Sequence, residues 1–109
     1  MGKITLTDFQ KIDLRVGKII NVEKIENTDK LYKIVVDLGN EKRTIVSGIA
    51  DKYSPEELNG QLIIVVTNLE EKVIKGVKSE GMLLAVDDEE TGPVLIVPLS
   101  QVKVGSKVR

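Results

Sequence analysis

The order of hydrophobic segments in this 109-residue chain predicts an all-β fold: three strands, a short helix, then two more strands, with extra segments at both ends. Regular strand spacing favours a barrel or sandwich, and a helix between the third and fourth of five strands is the chain order of an OB-type barrel. Two local signals anchor that order. Residues 54–57, Ser-Pro-Glu-Glu, put a capping serine before a proline suited to the first helical position, with a glutamate closing a capping box. Residues 61–67, Gln-Leu-Ile-Ile-Val-Val-Thr, are β-branched and apolar at both parities, as a central strand requires.

The first strand is expected over residues 12–25, with Leu14, Val16, Ile20 and Val22 sharing one face and a bulge at Lys18 and Ile19. Asn27-Thr28-Asp29 is turn chemistry. In the second strand Tyr32, Ile34, Val36 and Leu38 point inward, while Lys33 and Asp37 point out. Gly39-Asn40 reverses the chain into a third strand from Arg43 to Ser47. Two registers are open there: a two-residue loop points Arg43 inward, and a four-residue loop avoids most of that conflict. Asn59-Gly60 stops the helix after a turn or two. Met82 to Val86 reads as a further strand, and an acidic turn through Gly92-Pro93 leads into Val94 to Val97. Residues 102–109 supply a last edge strand. No repeat, low-complexity segment or linker divides the chain, so one domain over residues 1–109 is expected.

Composition excludes several chemistries. Without cysteine there are no disulfides, thiolate metal sites or cysteine nucleophiles, and without histidine the commonest general base and zinc ligand are missing. No serine or lysine sits in a nucleophile signature, so neither catalytic residues nor a cofactor is expected. Asp87-Asp88-Glu89-Glu90 reads as a solvated turn, because consecutive carboxylates diverge and no further metal ligands are near. The longest apolar run, Leu62 to Val66, is far too short to cross a bilayer; a soluble, cytoplasmic protein with no membrane partner is expected.

Sixteen basic and 17 acidic residues give a net charge of −1, which by itself implies no anionic partner. Without the acidic run the remainder is +3, 16 bases against 13 acids. An OB barrel usually binds on its second and third strands, between the first-to-second and fourth-to-fifth loops. That placement gathers Lys24 and Lys30 at the first loop, Lys33 and Arg43 on the strands, and Lys72, Lys75 and Lys78 on the long second loop. Such lysines would hold phosphates as point charges without reading sequence. On charge alone the plainer reading is a solvated loop, since Glu70, Glu71 and Glu80 offset its three lysines. Ser79 fits either a phosphate donor or a turn, and Met82 either a ligand contact or core. The only aromatics are Phe9, Tyr32 and Tyr53, too few for a single-strand stacking platform, so an RNA ligand would be a folded one recognised through its backbone.

Ordered motifs narrow this further: Asp13-Leu14-Arg15-Val16-Gly17, Asp29-Lys30-Leu31, Val36-Asp37-Leu38-Gly39, Ile45-Val46-Ser47-Gly48-Ile49, Tyr53 to Leu58, Asn68-Leu69 and Gly76 to Ala85. From Phe9 to about Val108 the chain resembles the tRNA-binding domain found at the C-terminus of methionyl-tRNA synthetase and in free-standing dimeric tRNA-binding proteins. The same domain occurs in endothelial monocyte-activating polypeptide II and the phenylalanyl-tRNA synthetase β chain. The resemblance implies an OB barrel that binds tRNA by shape and assists an aminoacyl-tRNA synthetase, most simply the methionyl enzyme in cis or in trans. It carries the RNA contacts onto Lys30, Arg43, Asn68, Lys72, Lys75, Ser79 and Met82, and implies a homodimer formed by residues 6–9 and the C-terminal strands. Two departures reduce the expected affinity: the first loop lacks a His-Pro pair, and Glu71 and Val73 stand where the family has a proline and a second base. Lys78 partly compensates, standing where an acid is common. A weak, salt-sensitive interaction follows. The second functional class is an export-chaperone-like dimer that binds unfolded polypeptide through Met82 and an apolar groove. A third is a domain that only dimerises.

Overall fold

A computed structural model describes residues 1–109. Helix α1 (Leu6–Phe9) precedes strand β1 (Leu14–Lys24), which is followed by β2 (Tyr32–Asp37) and β3 (Lys42–Ser47). Helix α2 (Pro55–Leu58) leads into β4 (Leu62–Val66), β5 (Lys72–Ile74), β6 (Val77–Ser79) and β7 (Met82–Leu83). The chain ends with β8 (Ala85–Asp88), β9 (Gly92–Leu95) and β10 (Lys107–Val108). No helix is long and apolar enough to cross a membrane.

Strands β3, β2, β1, β4 and β7 lie side by side in that order. The sheet curls until β3 meets the chain entering β7, where the Glu80 amide donates to the Thr44 carbonyl at 2.8 Å. Side chains complete the closure: Glu80 Oε1 accepts from the Thr44 amide at 3.0 Å, and Ser79 Oγ accepts from the Val46 amide at 3.0 Å. This is the expected all-β, five-stranded, nearly closed barrel. Helix α2 lies between β3 and β4 and puts Leu58 into the barrel core. Its capping box forms in both directions between Ser54 and Glu57.

The central strand β4 is buried at every position because it serves two apolar layers. Ile63 and Val65 face the barrel interior with Ile19, Ile34, Val36 and Ile45. Leu62, Ile64 and Val66 face outward, joining Leu14 and Val16 beneath Phe9, Leu84, Val104 and Val108. That second layer corrects the expected face of β1. Leu14 and Val16 look outward, whereas Gly17, Ile19 and Val22 belong to the interior, and Ile20 is 40 % exposed. The register slips between Ile19 and Asn21, so the bulge falls at Ile20 instead of Lys18 and Ile19. One extra residue there moves the inward phase from odd to even positions. Gly17 is required where β1 presses on the core: a Cβ would stand 2.4 Å from Val36 Cγ1.

Of the two registers open for β2 and β3, the chain adopts the shorter. The Leu38 amide donates to the Glu41 carbonyl at 2.8 Å, leaving Gly39 and Asn40 as a two-residue turn. Val36 then faces Arg43, and Arg43 points toward the open end of the barrel interior. The strand expected over Met82 to Val86 is interrupted at Leu84, with β7 remaining on β4 while β8 pairs with β9. The last edge strand is short, and β10 lies on the same edge of β1 as β2, along the first residues that β2 does not reach, pairing Val108 with Leu14 while β4 holds the other edge. Helix α1, capped by Thr5 Oγ1 accepting from the Asp8 amide, is too short to leave a periodicity in the sequence.

Candidate nucleic-acid interface

Residues 68–79 leave the barrel after β4 and return beside β3. They were expected as a loop; they contain a β-hairpin, with Lys72 opposite Ser79, Val73 opposite Lys78 and Ile74 opposite Val77. Its two-residue turn is Lys75-Gly76, with φ of +51° and +80°, the two left-handed residues of a type I′ turn. The pairing divides the lysines. Lys72 shares a face with buried Ser79, Lys78 shares the other face with exposed Val73, and Lys75 sits at the tip. Lys78 Nζ lies 3.4 Å from Glu71, a solvent-exposed pair that holds the lysine only weakly. Lys72 and Lys75 have no ion-pair partner.

The hairpin borders the outer face of β2 and β3. Because Ser79 holds the Val46 amide and Val46 pairs with Lys33, Lys33 stands one strand away from the hairpin. Lys30 occupies the loop between β1 and β2, its carbonyl tied to the Ala50 amide at 2.9 Å and its side chain exposed. The register adds two cations that the sequence did not single out. Lys18, Asp37 and Lys42 form one cross-strand row on this outer face, and neither lysine is within ion-pair distance of a carboxylate. The two-residue turn at Gly39-Asn40 was the signal that would have found Lys42.

The other expected site residues are engaged in holding the frame. Arg43 Nη1 donates to the carbonyls of Thr67 and Glu80, the latter at 3.2 Å, and Nε donates to Glu41 at 2.7 Å. The Glu41 carboxylate raises the affinity of this guanidinium for its proton, and the arginine in return lowers the Glu41 pKa. Asn68 joins the end of β4 to the chain before β1: its Oδ1 accepts from the Asp13 amide at 2.8 Å and its Nδ2 donates to the Lys11 carbonyl at 2.6 Å. Ser79 is buried, and its hydroxyl also donates to the Gly81 carbonyl at 3.1 Å. Met82 is half exposed and opposite Val66, on the outer apolar layer instead of the β2–β3 face. The aromatic residues are likewise used: the Tyr32 hydroxyl donates to the Tyr53 carbonyl at 2.7 Å, the Tyr53 hydroxyl accepts from Leu95 at 3.2 Å, and Phe9 covers the second layer.

Beside Arg43 lies an open polar depression of about 730 Å³, with Asp13, Arg15, Glu41, Thr67 and Lys103 in its walls. Its charges are mostly paired internally, Arg15 Nη2 standing 3.1 Å from Asp13. The Thr67 hydroxyl and Arg15 guanidinium both donate to Asp13 and hold its carboxyl below the usual aspartate range. At the far hairpin Asp87 to Glu90 are exposed, and Asp88 Oδ1 accepts from the amides of Glu90 and Thr91 at 2.9 Å. These bonds lower its pKa, the Thr91 amide contributing most.

Residues 14–107 match the family model described as "Putative tRNA binding domain". A methionine–tRNA ligase of Pyrococcus horikoshii is 52% identical over 109 residues, all of this chain and 15% of that protein. The chain therefore spans about a seventh of the length of that relative. Among solved structures, a MetRS related protein from Pyrococcus horikoshii superposes with a TM-score of 0.93 at 44% identity, covering both chains completely. The chaperone CsaA from Bacillus anthracis superposes with a TM-score of 0.90 at 28% identity, covering 99% of this chain and all of the other.

Proposed function

The chain belongs to the tRNA-binding domain family, and from that premise we propose that residues 1–109 act as one domain that binds folded tRNA through its backbone and assists a methionyl-tRNA synthetase, in cis or in trans. The observation that carries this reading is the β5–β6 hairpin, which bears Lys72 and Lys75 without ion-pair partners beside the Lys33 face of the barrel. Lys30, Lys33, Lys72, Lys75 and the loosely paired Lys78 meet phosphates, with Lys18 and Lys42 extending the same surface. Arg43, Asn68 and Ser79 hold that surface in shape, and Met82 offers an apolar contact at its margin. With no exposed aromatic platform, recognition rests on the placement of charge against helical RNA, and sequence preference is low. The domain contributes no catalytic group; the ligase chemistry belongs to the synthetase body.

Five phosphate contacts, from Lys30, Lys33, Lys72, Lys75 and Lys78, give a salt dependence of roughly −3.5 to −4.5 in log K against log [salt], at about 0.7 to 0.9 per contact. Titration of unfractionated tRNA at two salt concentrations, with a random-coil peptide as competitor, tests it. Lys72→Ala with Lys75→Ala is expected to abolish most of the binding while leaving the oligomeric state unchanged; unaltered affinity in that variant removes the hairpin as the site.

A second reading is favoured by one observation, the exposure of Leu69, Val73 and Met82 around the hairpin, and by the likeness to a chaperone. In it, those apolar side chains receive an unfolded polypeptide and the lysines are bystanders. Salt separates the two, because phosphate binding weakens steeply with ionic strength and apolar binding persists.

A further inference from the structure

The hairpin leaves the barrel at Thr67 and re-enters at Glu80. One side chain touches both points. Arg43 is turned toward the open end of the barrel by its pairing with Val36, and its side chain is 22% exposed. A guanidinium in that position must find acceptors for its donors. It finds them on two edges: Nη1 donates to the carbonyls of Thr67 and Glu80, while Nε and Nη2 donate to Glu41 at 2.7 and 3.4 Å. Four of its five N–H groups are thereby used within the chain. Only a planar fork serves a carboxylate on one edge and two carbonyls on another; an ammonium in its place cannot.

We propose that Arg43 is a positioning residue for the hairpin: it fixes the two ends of residues 68–79 to each other and to Glu41, and its effect on RNA binding runs through Lys72, Lys75 and Lys78 instead of a phosphate of its own. The inference rests on the hairpin being the RNA-facing element. Its geometry stands apart from that reading, since the clasp is internal to the chain. Ser79 and Glu80 tie the returning end to β3, and the β5–β6 ladder and the Lys78–Glu71 pair join the two arms farther out. Arg43 is the side chain that bonds to the carbonyls at both roots, Thr67 and Glu80, and ties them to Glu41.

The test is a double-mutant cycle in the full chain. Arg43→Lys keeps the charge and removes the fork, so tRNA affinity at low salt falls about tenfold, the worth of one charge-assisted hydrogen bond. In a background of Lys72→Ala, Lys75→Ala and Lys78→Ala the same change costs less than about twofold, because the groups it positions are gone. An equal loss in both backgrounds, or full affinity in Arg43→Lys alone, overturns the proposal in favour of a direct charge contact. Amide hydrogen exchange supplies an arm that needs no RNA. Arg43→Lys is expected to speed exchange in residues 72–79 about tenfold while Ile34, Ile45 and Val65 keep their protection. Unchanged hairpin exchange overturns positioning, and equal acceleration throughout the barrel reduces Arg43 to general stability. If the triple lysine variant binds tRNA as the parent does, the RNA reading fails, and the exchange arm still decides the clasp.

Discussion

Asp13 illustrates how one carboxylate can join three parts of the chain. It is held by the Thr67 hydroxyl at the end of β4 and by Arg15 on β1, while Arg15 Nη1 in turn reaches the Gly105 carbonyl in the C-terminal segment at 3.4 Å. These donors favour the charged form and lower its pKa. A depressed folded-state value means that the stabilisation is present above the unfolded value near 4 and is lost as pH falls through the lower folded value. Asp13→Asn is therefore expected to destabilise the chain by about 2 kcal/mol at pH 7, the scale of hydrogen bonds to a charged group. Urea denaturation at descending pH checks the sign: the gap between parent and variant narrows below about pH 4, and a pH-independent gap removes the linkage. Such ties were poorly legible in the sequence because their partners are remote, 54 residues away for Thr67. Arg43 was harder to foresee for the same reason. An arginine facing a barrel interior looks costly until its acceptors, 24 and 37 residues along the chain, are known.

At the scale of elements, legibility followed the range of the determining interactions. The capping box of α2 needs four consecutive residues and is legible in them, as is the alternation of β2, which has no bulge of its own and pairs without a slip with β3. The bulge in β1 and the break at Leu84 depend on what each strand packs against, so the bulge was misplaced and the break was missed. The β5–β6 hairpin is hidden in the sequence for a different reason: Lys72, Lys75 and Lys78 suit a solvated loop as well as a hairpin, and Lys75 is not a residue that marks a left-handed turn. That turn places a lysine at a left-handed φ of +51°, a conformation asparagine tolerates better. Lys75→Asn is thus expected to preserve or firm the hairpin by a few tenths of a kcal/mol while deleting one cation. A shallower salt slope for tRNA, by about 0.7 to 0.9, with undiminished hairpin amide protection is the expected outcome. An unchanged slope places Lys75 outside the phosphate contacts. The experiment separates the shape of the hairpin from its charge, which substitution by alanine does not.

At the scale of the whole molecule, the barrel has two faces with different demands. The β2–β3 side is polar and carries the free cations. The opposite side bears the second apolar layer, roofed by Phe9, Leu84, Val104 and Val108, all only partly buried. Leu6, on the same short helix as Phe9 and within the 6–9 segment that the family resemblance assigns to a dimer interface, is 71% exposed, and Leu99, between β9 and β10, is fully exposed. Single exposed leucines need no explanation, but an exposed leucine one turn from Phe9 and another in the C-terminal segment, together with an incompletely covered apolar layer, fit a contact between two copies. Two copies joined there would leave both hairpins free, so one particle would present two cationic surfaces to one tRNA and raise avidity without a new contact. The prediction is that the chain sediments at about twice its 12.0 kDa mass, and that Leu6→Asp with Leu99→Asp returns it to the monomer with the barrel still folded. The monomer should retain the salt slope of each surface but bind tRNA more weakly than the dimer. A parent that sediments as a monomer removes the interface outright. A double variant that is monomeric yet binds tRNA with parental affinity shows that one barrel is a sufficient grip and that dimerisation serves some end other than avidity.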